Sequence, residues 1–170
     1  MHDIETLREG IIALARDAAA RIMTIYDSEF AVQHKDDKSP LTAADLAAHH
    51  CIVEGLERLA PDIPVLSEES AEDVPALVRR QWRRLWLVDP LDGTREFVDK
   101  NGEFAVMIGL VEGTRAVASV IDAPARGEVF AAWVGEGAVR IADGKQAPLN
   151  VSQIADITQG SLVGSRSHRS

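Results

Sequence analysis

WLVDPLDGTREF, residues 86–97, runs from an apolar segment into a turn that carries two carboxylates. Leu85, Trp86, Leu87 and Val88 read as a buried strand, so Asp89 and Asp92 emerge where a charge is costly unless a cation or dense hydrogen bonding compensates it. Asp89 and Asp92 suit a magnesium ion, which takes hard oxygen ligands from one or two carboxylates with waters and substrate phosphate around them. Pro90 stiffens the backbone between them, and the carbonyl of Leu91 can turn inward as a third oxygen ligand. Gly93 permits an unusual dihedral or a close approach. Thr94 can cap a short helix through Arg95, Glu96 and Phe97 whose first N–H groups would hold a phosphate. A solvated Asp-Gly surface turn is the plain alternative; the apolar strand before it and the full hexad DPLDGT favour a site.

Working back toward the N-terminus, TAADLAAHHCIVEGLERL reads as a helix ending before Pro61, with Thr42 and Asp45 spaced as a capping box. Asp45 is therefore either the partner of Thr42 in that cap or a site residue. Ahead of a polar HKDDKSP stretch, Ile4, Leu7, Ile11, Leu14, Ala18, Ile22 and Ile25 mark one face of a helix from Asp3 to Tyr26. Between the second helix and the DPLDGT strand, Ile63 to Leu66 form a short strand that delivers SEES to a loop. EDVPALVRRQW is a short surface helix or irregular connection. His49 and His50 have no partner at metal-ligand spacing and read as solvent-facing or boundary residues, and Cys51 as core.

Toward the C-terminus, EFAVMIGLVEG, TRAVASVIDAP, GEVFAAWVGEG, AVRIADGK and APLNVS are β-prone runs punctuated by Gly, Pro and Asp-Gly. Two long helices followed by a run of strands predict an α+β layered domain with a meandering, mostly antiparallel sheet. SLVGSRSHRS reads as one more strand entering a loop, and the 170 residues are expected to form a single N-terminal domain that is incomplete at its C-terminal end.

Composition narrows the function classes. Eighteen basic against 27 acidic residues give a net charge of -9, and Lys and Arg form no stripe, which disfavours nucleic-acid polymers and anionic membranes as partners. An anionic small substrate stays compatible if a metal ion inverts the local field. No run approaches the length of a membrane span, one cysteine excludes an internal disulfide, and MHDIETLREG lacks the layout of a signal peptide, so a cytoplasmic location is expected.

Three ordered motifs, SPLTAAD (39–45), SEES (67–70) and WLVDPLDGTREF, resemble the inositol monophosphatase-like superfamily of magnesium-dependent, lithium-sensitive phosphatases. LSEES, DPLDGTREF, NGEFAV and SRSH together are similar to its 3'(2'),5'-bisphosphate nucleotidase branch. The haloacid-dehalogenase-type signature DxDGT differs by one residue between its acids, which breaks the alternation that would point both to one side. The resemblance implies a layered sugar-phosphatase-like fold, of which a C-terminal α/β half is not expected here. It makes Glu68, Asp89 and the Leu91 carbonyl ligands of one metal, with Asp89 bridging to a second held also by Asp92. Two or three Mg2+ ions are implied for a complete enzyme. Thr94, with Asp45, is implied to orient the attacking water, while Gly93 and Thr94 grip phosphate through their N–H groups. The resemblance also implies that Ser165, Arg166 and His168 border the substrate. The implied activity is removal of the 3'-phosphate of 3'-phosphoadenosine 5'-phosphate, and of its sulfated analogue, in sulfur metabolism. An inositol or sugar monophosphatase and a non-catalytic fragment are the alternatives, and a homodimer is left open. With only Asp89 and Asp92 for the second ion, turnover by these residues alone is expected to be low.

Overall fold

The computed structural model describes residues 4–28, 40–161 and 164. Helix α1 spans Ile4–Tyr26 and α2 spans Pro40–Leu59. Their apolar stripes meet: Leu7, Ile11, Ala18 and Ile22 of α1 and Ala44, Ala48, Ile52 and Leu56 of α2 are at most 5% exposed. Burying a side chain such as Ile11 stabilises the fold by about 1.5–3 kcal/mol, and truncating it to Ala would cost about 2–5 kcal/mol. The helices cross so closely that a Cβ at Gly55 would run into the side chain of Leu14.

Strands β1 (Val65–Ser67), β2 (Arg84–Asp92), β3 (Ala105–Glu112), β4 (Arg115–Ala123), β5 (Glu128–Trp133), β6 (Gly137–Ala142) and β7 (Lys145–Leu149) form one sheet in sequence order. Among the described residues only β1 and β2 pair in parallel; every later pair is antiparallel, joined by short connections from β3 onward and by the segment carrying α4 between β2 and β3. This is the α+β meander expected from the sequence. Alternation sends Trp86, Val88, Ile108, Leu110, Val120 and Ala131 into the core under the helices. The other face carries Leu66, Leu87, Met107, Val111 and Ile121, which with Glu68 and Asp89 line an apolar groove of about 460 Å3.

Four local expectations change. Helix α2 opens at Pro40, not after Thr42, because proline loses nothing at a first-turn position whose N–H has no intrahelical partner. Thr42 therefore lies inside the first turn and is not the N-cap. SEES is not a loop: Ser67 ends β1 and Glu68–Asp73 wind into a 3-10 turn, followed by α3 (Ala76–Arg79). β2 does not stop at Val88 but continues through Pro90 to Asp92. Its register slips, since Asp89 pairs with Met107 and Asp92 with Ala105, which sets Pro90 and Leu91 against the single residue Val106. Proline fits there because a bulge needs no ladder donor at that position. Finally, Gly93 and not Thr94 caps α4 (Thr94–Val98). It adopts φ 85° and ψ 42°, a left-handed conformation, and a Cβ there would come within 2.8 Å of the Glu103 carbonyl oxygen. The strand expected in SLVGSRSHRS is not formed at Ser161, and all but Gly164 of the rest lies outside the described residues.

Candidate active site

Three elements bring the acids together. α2 supplies Asp45, the 3-10 turn after β1 supplies Glu68 and Glu69, and the bulged end of β2 supplies Asp89 and Asp92. The parallel pairing of Ser67 with Val88 sets Glu68 beside Asp89. The packing of α2 on β1 and β2 lowers Asp45 onto the turn.

The electrostatics of this convergence are unfavourable. Burial, then the charge and hydrogen bonding of Glu69, then the charges of Asp89 and Glu68 push the Asp45 carboxyl up to about 7. Asp89 is pushed up to about 6, by burial first and then by Glu68 and Asp92; the Leu91 N–H, which donates to Asp89 Oδ1 at 3.2 Å, offsets part of the rise. Two carboxylates about 5 Å apart repel by roughly 3 kcal/mol at an effective dielectric near 20. Among the described residues none of the five acids forms an ion pair with Lys, Arg or His. Asp45 Oδ1 is buried without a hydrogen-bond partner.

This donor set fits a hard divalent cation. Its atoms are carboxylate oxygens, burial and the neighbouring acids push Asp45 and Asp89 up, and one buried oxygen is unused. As they stand the acids face one another pairwise, Asp45 against Glu69 and Asp89 against Glu68. No group of three His, Cys, Asp or Glu side chains among the described residues is arranged to hold an ion in that state. Binding a cation would draw the carboxylates toward one point and favour their ionised forms, the usual linkage of metal binding to deprotonation.

The expected site residues fall into three sets. Glu68, Asp89 and Asp92 come together, and Leu91 lies between the two aspartates in the bulge, 2% exposed. Gly93 and Thr94 follow directly at the start of α4, but no hydrogen bond joins the Thr94 hydroxyl to Asp45, whose charged neighbours are Glu69, Asp89 and Glu68. Ser165, Arg166 and His168 lie outside the described residues. Sequence alone assigns Glu69 no role and marks His49 only as a solvent-facing or boundary residue; His49 shares a 2.8 Å hydrogen bond through Nδ1 with Ser67 Oγ. Burial, followed by the neighbouring His50, holds the His49 ring below its usual pKa. The signals were the Glu68–Glu69 doublet and the i,i+4 spacing of Asp45 and His49, which puts both on one helix face.

A helix pair on an antiparallel meander, with acids gathered at a bulged strand end, defines a two-layer α+β domain with a cation-seeking carboxylate site. The chain belongs to the inositol monophosphatase family, whose profile matches residues 3–170. It is 46% identical to the 3'(2'),5'-bisphosphate nucleotidase CysQ of Salmonella typhimurium over 94% of this chain and 63% of the relative. CysQ of Escherichia coli K12 is 44% identical over the same shares. The crystal structure of CysQ from Bacteroides thetaiotaomicron superposes with a TM-score of 0.75 at 37% identity, covering 90% of this chain and 54% of that one. The chain thus spans less than two thirds of the length of these relatives. Among the described residues no helix is long and apolar enough to cross a membrane.

Proposed function

We propose that this chain carries the metal-binding part of a magnesium-dependent phosphatase that removes the 3'-phosphate of 3'-phosphoadenosine 5'-phosphate to give AMP, with the sulfated analogue as a further substrate. One observation carries the reading: Asp45, Glu68, Glu69, Asp89 and Asp92 converge without an ion pair to a cationic side chain among the described residues, and a buried Asp45 oxygen is left unpartnered. The relatives named as bisphosphate nucleotidases support the substrate class.

Glu68, Asp89, the Leu91 carbonyl and Asp92 would hold Mg2+. When bound, the ion supplies positive charge to the phosphoryl oxygens and the leaving oxygen. The chain's own groups do the rest. Thr94, at the first turn of α4, orients the attacking water through its hydroxyl, and Asp45 Oδ1 accepts the proton that water loses. The water oxygen bonds to phosphorus as the bond from phosphorus to O3' breaks, and the O3' oxygen takes a proton from solvent. The N–H groups of Gly93 and Thr94 hold the phosphate, since a helix's first N–H groups have no intrahelical partner. The left-handed Gly93 lets the backbone turn there without a side chain in the way.

Phosphate release from 3'-phosphoadenosine 5'-phosphate, with and without Mg2+, tests the reading. Mg2+-dependent release, faster than from an inositol monophosphate, is expected. Preference for the inositol substrate would move the assignment to the monophosphatases of the family, and release insensitive to chelation would remove the metal from the proposal. With only Asp89 and Asp92 to hold a second ion, turnover by these 170 residues is expected to be low.

A further inference from the structure

Ser67 is a junction in this site. It is fully buried, and its backbone pairs with Val88, the residue before Asp89. It directly precedes Glu68, and its hydroxyl reaches His49 on α2 at 2.8 Å. His49 lies one helical turn from Asp45 and on the same face. The His49–Ser67 hydrogen bond is therefore where all three acid-bearing elements are joined.

That junction has a physical task. Asp45 and Glu69 repel each other once ionised, as do Glu68 and Asp89, so the acids themselves drive the 3-10 turn away from α2 and β2. Among the described residues no ion pair ties the turn to α2. Van der Waals packing opposes that drift only in part, because Glu68 and Glu69 are exposed and none of the turn's residues, Glu68–Asp73, is fully buried. A hydrogen bond to a fully buried hydroxyl is short, directional and costly to break without a substitute partner. His50 packs against His49 edge-on, with ring centroids 5.4 Å apart, and helps set the orientation of the His49 ring.

We propose that His49 is a positioning residue: its bond to Ser67 holds the Glu68–Glu69 turn at a fixed place against Asp45 and Asp89, so that the carboxylates stay converged for a divalent cation. This rests on the metal-site reading above.

The test uses the 170-residue chain and Mn2+, whose free ion is counted by electron paramagnetic resonance, alongside amide hydrogen exchange of residues 68–73. His49→Ala and Ser67→Ala each remove the bond from one side. His49→Asn restores a polar atom at the position of Nδ1, because its amide branches at the same carbon as the imidazole. Ser67→Ala deletes only one oxygen, so it keeps the test open should His49→Ala fold poorly. Each Ala variant should bind Mn2+ about 10-fold more weakly, the low end of what losing an outer-shell partner costs a metal site. The double variant should be no weaker than either single one, because the same bond is lost. His49→Asn should return toward the parent, and exchange over residues 68–73 should quicken in the Ala variants only.

Unchanged affinity and exchange in Ser67→Ala, additive losses in the double variant, or an Asn variant as weak as Ala would overturn the positioning role. A parent chain that binds no Mn2+ would overturn the metal-site reading instead. The exchange data then decide alone: quickening that Asn rescues supports the positioning role, and unchanged exchange rejects it.

Discussion

Asp45→Asn is expected to stabilise the chain when no divalent cation is present. Asp45 is half-buried, and its carboxyl rises from 3.8 to about 7 in the folded chain. Between those values the native state binds more protons than the unfolded one, so its contribution to stability falls as pH rises through the window and is lowest above pH 7. At face value the rise corresponds to about 4 kcal/mol, but solvent screening of a half-exposed group reduces this to about 1–2 kcal/mol. Asn resembles the protonated acid and removes the penalty. Urea unfolding in EDTA, followed by tryptophan fluorescence, should place the variant about 1–2 kcal/mol above the parent at pH 8, a gain in melting temperature of roughly 2–8 °C for a chain this size. The gap should close toward pH 4, where the parent's Asp45 is itself protonated. Adding Mg2+ at pH 8 should narrow it as well, because a cation selectively bound by the folded parent stabilises it by mass action. A variant equal to or less stable than the parent at pH 8, or a gap constant with pH, would refute the claim that Asp45 is held against uncompensated acids.

Three further outcomes follow from the same geometry. Asp89→Asn should abolish tight Mg2+ binding measured by isothermal titration, since Asp89 lies between Glu68 and Asp92 and no neighbour can take its place; unchanged affinity would remove it from the ligand set. Gly93→Ala should cost about 2–3 kcal/mol by urea unfolding, from the left-handed backbone and the contact with the Glu103 carbonyl. A loss below the error of the measurement would mean that α4 starts differently. Thr94→Ala should lower phosphate release strongly with Mg2+ affinity nearly intact, because its hydroxyl is assigned to the water and not to the ion; parent-like turnover would take Thr94 out of the mechanism.

Much of this was determined by the sequence alone, because it depends on local periodicity. Apolar residues at three- and four-residue steps mark α1, and Gly and Asp-Gly punctuation separates β3 to β7, so neither needed knowledge of distant contacts. DPLDGT after an apolar strand likewise marks a costly position for two acids wherever the chain goes. The tertiary structure decided what depends on register and crossing. The sequence reads as a strand only as far as Val88, and β2 continues through Pro90 because a bulge opposite Val106 asks the proline for no donor. Thr42 and Asp45 had capping-box spacing, but with α2 opening at Pro40 Asp45 is directed by the packing of α2 onto Glu69 and Asp89. Glu69 facing Asp45, and His49 reaching Ser67, are contacts between segments about twenty residues apart. Spacing along the chain is blind to them, since which side chains meet is fixed by the angle at which α2 crosses the sheet.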